Sequence, residues 1–230
     1  MSHDVLVSVA RCSAPDSKRS HVKSIDNQTL NLPSEAPIMV LSGALLFPHA
    51  LLPLYIFEPR YRAMLAHALE RDRVFCIAQP RPGVEEPEDP QDFCDVAGLG
   101  LVRACVGRDD GTSNLVLQGL ARVRFRGFVQ NHPFRVAQIQ ELPSRPGDSA
   151  RIEPLMAELL ELCAECPLGA PEDREKFEEQ LGKIKDPGVF ADIVAHTFLR
   201  EPQHRQEVLD ILDVPERLRV VTRRIRAEMS

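Results

Sequence analysis

Between Pro143 and Ser149 the apolar period of the chain changes from two residues to 3.6. The stretch itself, Pro-Ser-Arg-Pro-Gly-Asp-Ser, is made of turn formers. A chain patterned this way has to build a strand-rich half and a helical half, and each half must bury an apolar face. Upstream, alternating or continuous apolar runs predict strands over residues 38–41, 54–57, 73–79, 99–106, 114–119, 122–126 and 134–140. One helix interrupts them: Pro59 suits a first helical position, and Tyr61, Leu65 and Leu69 form a stripe behind it. About six short strands with one helix suggest a small barrel or a pair of curled sheets.

Downstream, Ile152, Leu155, Met156, Leu159, Leu160, Leu162 and Cys163 share one broad helical face, and Phe177, Leu181 and Ile184 share another. Asp186-Pro187 and Glu201-Pro202 start two further helices. Asp213-Val214-Pro215-Glu216, an acidic form of the capping box, opens a last one with Leu218, Val221 and Ile225 inward. A small bundle over residues 150–228 is expected. Residues 1–36 mix Ser, Lys, Arg, His and Asp without a period and read as a flexible extension.

The most apolar stretch is residues 37–61. Within it, residues 45–53 (Leu-Leu-Phe-Pro-His-Ala-Leu-Leu-Pro) connect two predicted strands and are too hydrophobic for an ordinary surface loop. Pro48 and Pro53 bar a regular helix or a central strand. The ordinary expectation is that most of these side chains plug the core. The functional expectation is that some stay outward for a partner.

Charge and composition narrow the function classes. A net charge of −6 with pI near 5.7 argues against a general nucleic-acid binder. No run of eighteen apolar residues is present, so no membrane-spanning helix is expected, and a cytoplasmic location is the default. Six cysteines in a chain this long suit a reducing compartment better than a disulfide framework. Cys163 and Cys166 form a lone C-x-x-C with no second pair to complete a zinc site, so buried helix-end thiols are expected. Arg122, Arg124 and Arg126 alternate with Val123 and Phe125, so all three are expected on one solvated sheet face, with RNA contact as the alternative use. The acidic stretch containing Glu85, Glu86, Glu88, Asp89, Asp92 and Asp95 lacks the ordered spacing of a calcium loop. No histidine pair has metal-ligand spacing and no Ser or Cys is flanked as a nucleophile, so no catalytic residue, metal or cofactor is predicted.

Several local strings resemble the N-terminal substrate-binding domain of the Lon (La) ATP-dependent proteases. They are Leu45-Leu46-Phe47-Pro48 with Leu52-Pro53-Leu54, then Phe57-Glu58-Pro59-Arg60-Tyr61, Val116-Leu117-Gln118-Gly119-Leu120-Ala121-Arg122, Pro133-Phe134-Arg135-Val136-Ala137, and residues 210–218. The resemblance covers roughly residues 37 to 228. It departs from the family at Ser42-Gly43-Ala44, where charged residues are usual. It implies an α+β fold: a PUA-like β-barrel over residues 37–143, followed by the helical bundle. It also implies a module that binds exposed or unfolded protein segments, with a separate protease or adaptor as a further partner. The site expected on this basis is a groove lined by Leu45, Leu46, Phe47, Pro48, Leu51, Leu52 and Tyr61. No G-x-x-x-x-G-K-[ST] string occurs, and the family's proteolytic domain has no counterpart in these residues, so a non-enzymatic module is expected.

Overall fold

Strand β1 (Glu35–Val40) runs parallel to β3 (Val74–Ala78), with Ile38 opposite Cys76; the remaining strand pairs are antiparallel. The structure, a computed structural model, describes residues 32–229 except 85, 86, 88 and 167–170, and the side chains of 90 and 171–176 are outside that description. Most of the expected N-terminal extension, and the acidic residues Glu85, Glu86 and Glu88, therefore lie outside the described residues. β1 begins at Glu35, inside the segment read as extension.

The other strands are β2 (Leu51–Ile56), β4 (Val96–Gly107), β5 (Ser113–Gln130) and β6 (Arg135–Glu141). The sheet order is β2-β5-β4-β3-β1-β6, and β6 returns to pair with β5. Five strands thus close on themselves, while β2 stays outside on the first half of β5. The two strands expected over 114–119 and 122–126 are one. β5 is 18 residues long, and it runs through the gap with Ala121 opposite Leu99 and a register shift at Leu120. It serves three partners by bending at register shifts between Phe125 and Gly127 and between Phe128 and Gln130.

Helix α1 (Pro59–Leu69) opens on Pro59, as the sequence suggests. After β6 come α2 (Ser149–Glu165), α3 (Pro171–Lys183), α4 (Pro187–Phe198), α5 (Pro202–Asp210) and α6 (Val214–Met229). Asp148, Asp186 and Asp213 each accept a first-turn backbone N–H, from Ala150, Val189 and Glu216. Glu201 starts α5 without a side-chain cap. The turn-forming boundary segment is pinned rather than free: Arg145 N donates to Leu212 O, and Val214 N donates to Arg145 O.

Both faces of β1 and β3 are buried. Met39, Phe75 and Ile77 pack with Tyr61, Met64 and Leu65 of α1, whereas Ile38, Val74 and Cys76 pack with Phe93, Leu99 and Val123. Helices α2, α4, α5 and α6 share a third cluster, which includes Leu45 and Phe47 from the apolar connection. Leu46 goes the other way, into the α1 cluster. The connection 41–50 is thus a wedge whose successive side chains enter the strand-rich and helical cores in turn.

Two glycines let this wedge lie flat on the sheet. A Cβ at Gly98 would stand 1.9 Å from Leu46 O, and one at Gly119 would stand 1.9 Å from Phe47 O. Gly119 also exchanges backbone hydrogen bonds with the wedge, accepting from His49 N at 2.9 Å and donating to Ala50 O at 2.8 Å. Gly119→Ala should therefore cost about 3 kcal/mol or more, because neither backbone can withdraw without losing that pairing. Chemical denaturation of the purified variant checks this; a loss below about 0.5 kcal/mol would count against the wedge.

The halves are also joined by charge. Arg122 of β5 is 2% exposed, Asp192 of α4 2% and Arg217 of α6 0%. Arg122 donates through both Nη atoms to the Asp192 carboxylate and through Nε to Leu209 O at 2.9 Å. Arg217 donates to Asp192 Oδ1 (3.1 Å), Ile211 O (2.9 Å) and Ser144 Oγ (2.8 Å). Burial pulls Arg217 down to about 10, with Arg122 as the next cause, and it remains charged at neutral pH. Removing the shared anion leaves two buried cations facing each other, so Asp192→Ala should lose about 3–5 kcal/mol. Thermal and urea unfolding should show this as one lowered transition for both halves.

Candidate functional site

The expected groove residues separate into two groups. Leu45 (2% exposed), Leu46 and Phe47 (both 0%) are core, and Pro48 is buried with them. Tyr61 is also buried, its hydroxyl donating to Val40 O at 3.0 Å and accepting from Val40 N at 3.2 Å. Leu52 is half-buried. Of the seven, only Leu51, 56% exposed, faces fully outward.

Leu51 belongs to a larger surface. Along β2 the even positions Leu52, Leu54 and Ile56 turn toward the α1 cluster. The odd positions Leu51, Pro53 and Tyr55 are exposed, and Phe57 follows just past the strand end. Register extends this face across the sheet. Tyr55 stands opposite Asn114, which stands opposite Val106; Pro53 stands opposite Val116, which stands opposite Ala104. Tyr55 (46%), Phe57 (58%) and Val106 (51%) are, with Leu51, among the most exposed large apolar side chains described. Tyr55 and Phe57 stack with centroids 5.7 Å apart, and the Arg108 guanidinium lies 5.6 Å from the Tyr55 ring. The result is an exposed sheet face across three strands, apolar along β2 and at Val106, with Asn114 in its middle and Arg108 against Tyr55.

The wedge is held beneath the start of this face by a small polar group. Arg205 of α5 donates to Leu45 O at 3.3 Å and to His196 Nδ1 of α4 at 3.1 Å. The His196 ring lies edge-on to Phe47, and the imidazole makes a backbone hydrogen bond to Leu51. Burial, then the neighbouring Arg205 charge, lowers His196 to about 4.

The arginine ladder is not one face in the environment expected of it. Arg122 is buried in the ion cluster, Arg124 is half-buried and Arg126 is exposed, its Nε donating to Gln140 Oε1 at 2.7 Å. The alternation holds from Arg122 to Arg124, but Arg126 falls in the register shift between Phe125 and Gly127; Arg122 lies against α4 and α5, whereas Arg126 is exposed. Cys163 and Cys166 are buried at the end of α2, and burial pushes the Cys163 thiol up to about 12. Among the described residues no cluster of three His, Cys, Asp or Glu could hold a metal ion, and no helix is long and apolar enough to cross a membrane.

The ATP-dependent protease La (LON) substrate-binding domain matches residues 35–227. The chain belongs to that family. It is 27% identical over 203 residues to the Lon protease of Desulfosudis oleivorans and 27% identical over 204 residues to that of Dictyoglomus thermophilum, which covers 88% and 89% of this chain. The match takes in 25% and 26% of those proteins, so the chain spans about a quarter of the length of these relatives. In fold it is similar to the N-terminal domain of the Mycobacterium avium complex Lon protease, with a TM-score of 0.65 at 18% identity, over 84% of this chain and 98% of that one. A Lon N-terminal domain protein from Xanthomonas campestris gives 0.60 at 17% identity, over 81% and 96%.

Within this LON domain, the outward residues Pro53, Tyr55, Phe57, Ala104, Val106 and Val116 were missed by sequence reasoning. One signal was available: residues 51–57 are apolar at odd and at even positions, so a strand there has two apolar faces. His196 carries a second expectation. Its folded value lies below the ordinary one, so the unfolded chain takes up its proton first, and stability is lost as pH falls from about 6.5 toward about 4. The loss should be on the order of 2 kcal/mol and should shrink in His196→Gln, as read by urea unfolding at pH 7, 6 and 5. Equal slopes in both proteins would contradict this.

Proposed function

We propose that this LON domain is a non-catalytic module that recognises exposed hydrophobic segments of unfolded or damaged polypeptides. The observation that carries the reading is the exposed face of β2, β5 and β4, on which Leu51, Tyr55, Phe57 and Val106 point outward. Large apolar side chains gathered on one exposed face are what a binding surface presents. The family assignment agrees with substrate recognition as its use.

The binding is side-chain contact on a sheet face. β2 is an edge strand, where an added strand could in principle pair, but Pro53 supplies no N–H in the middle of it. A strand-addition mode would lose that bond, whereas an extended or loosely helical segment resting on the rings loses nothing. Each apolar side chain fully buried contributes ~1.5–3 kcal/mol before ordering costs, so a few anchors give affinities around micromolar. The stacked Tyr55–Phe57 pair is the anchor, since rigid aromatic surface is ordered at little entropic cost. Delivery to a separate protease or adaptor is part of the proposal: the relatives that match are Lon proteases about four times the length of the match.

Binding of a reduced, fluorescently labelled unfolded protein tests it. Tyr55→Ser with Phe57→Ser should weaken binding by about tenfold or more and reduce hydrophobic-dye fluorescence at unchanged melting temperature. Phe47→Ser should do the reverse, lowering the melting temperature by opening the core. Unchanged affinity in the double variant would remove this surface as the binding site.

A further inference from the structure

We infer that the exposed face of β2, β5 and β4 selects segments carrying an Asp or Glu close to their apolar anchor, and that Arg108 reads the carboxylate. The inference rests on the proposed function and adds a polar specificity to it. Arg108 follows the end of β4, yet its guanidinium lies 5.6 Å from the ring of Tyr55 on β2. β5 runs between those two strands, which puts them about 10 Å apart. The side chain therefore reaches back over the face instead of leaving its edge.

This cation has no anion of its own. Its contact with Tyr55 engages the charge through the ring quadrupole. Its N–H donors make no hydrogen bond or ion pair among the described residues. Two carboxylates stand on the adjoining turn. Asp110 is committed to Thr112, accepting from N at 2.9 Å and from Oγ1 at 2.7 Å. Those bonds, ahead of the charges of Arg108 and Arg62, hold its carboxyl below the usual range. Asp109 is exposed and forms no ion pair among the described residues. Glu58, next after Phe57, is held by Arg60 at 2.8 Å. The outward positions Leu51, Pro53, Tyr55, Asn114, Val116 and Val106 carry no carboxylate. The face thus offers a cation and no free anion, on a chain whose net charge is −6.

The partner chemistry follows from the fork and its distance from the rings. A guanidinium has five donors in one plane and no acceptor, which fits a carboxylate bidentately and repels a basic residue. In an extended segment, side chains two residues apart point the same way and stand about 7 Å apart. That step is close to the 5.6 Å between the Tyr55 ring and the guanidinium. An aromatic or large aliphatic residue seated on the Tyr55–Phe57 pair therefore brings an acidic residue two positions away to Arg108. Exposed ion pairs contribute little, so Arg108 ranks segments of equal apolar content and leaves the bulk of the affinity to the rings.

The test is fluorescence polarisation with three labelled peptides, blocked at both ends so that no terminal carboxylate competes. They share one Phe and differ only two positions from it, where they carry Glu, Gln or Lys. At about 0.15 M salt, charges farther away than ~8 Å are largely screened, so the overall charge of the chain does not set the order. The wild-type protein should bind the Glu peptide about threefold more tightly than the Gln peptide and the Lys peptide about threefold more weakly, the scale of an exposed ion pair. Arg108→Gln should bring both ratios close to one, and Arg108→Glu should reverse the order. Arg126→Gln, which removes an exposed cation at the far end of β5, should leave both ratios as they are. The inference is overturned if the wild-type protein ranks the peptides equally or prefers Lys, if Arg108→Gln keeps the ratios, or if Arg126→Gln erases them too. Tyr55→Ser with Phe57→Ser should weaken all three peptides. Binding without preference removes this inference alone, whereas failure to bind any of the peptides or an unfolded protein removes the proposed function with it.

Discussion

Asp192 carries more of this architecture than any other polar residue. It sits on the inner face of α4 and receives guanidinium groups from β5 and from α6, so the closed sheet and the bundle meet at one carboxylate. Two cations and one anion leave a net buried charge, a state that costs several kcal/mol per ion unless every donor is met. The surplus is met by backbone. Leu209 O, Ile211 O and Leu212 O, at and just past the end of α5, accept from Arg122 and Arg217. Terminal helix carbonyls have no partner within the helix and carry the negative end of its dipole, so they are suited to a buried guanidinium. A hydrophobic trio of similar volume could fill the same space. It would not dictate which strand position faces which helix, and that directional demand is what the charges add.

The apolar wedge answers the same problem without charge. Two packed layers that share one interface need something whose side chains alternate between them. Leu45 and Phe47 point into the bundle and Leu46 into the α1 side because the segment is extended there, and extended backbone sends successive side chains opposite ways. Gly98 and Gly119 are the complement: their missing side chains make the trough in which the wedge backbone rests. His196 and Arg205 close it from the helical side, and a neutral imidazole is required there, since a second cation beside Arg205 has no anion to meet it in the wedge.

Much of the fold was legible because it is written in local terms. Helix starts at Pro59, Asp186-Pro187 and Asp213 rest on caps and proline geometry that act over three or four residues. What was not legible depends on where elements lie relative to one another. Arg122 and Arg124 obey the expected alternation, but Arg126 sits in the bulge between Phe125 and Gly127, and only the folded chain shows that Arg122 lies against α4 and α5 as core while Arg126 is surface. Gly119 looked like a strand end, and its role as a contact for Phe47 O appears only once a segment some seventy residues away is laid over it. The wedge was singled out for its hydrophobicity, but hydrophobicity alone cannot say which side of a sheet is covered.

That last ambiguity also explains the exposed face. β2 is joined to the sheet along one edge only and is apolar on both sides, so folding can bury one of its faces against α1 and must leave the other. An exposed edge of this composition invites self-association, and the chain limits it in two ways. Pro53 removes a donor from the middle of the edge strand, and Arg108 stands over Tyr55 where a second copy would bring another like charge. Neither device removes the aromatic surface itself. A chain selected only for solubility would replace Tyr55 and Phe57 with polar residues at no cost to its cores, because neither ring belongs to one of the three clusters. Keeping them while guarding the strand edge is consistent with a surface that accepts another polypeptide through side chains and discourages pairing through backbone.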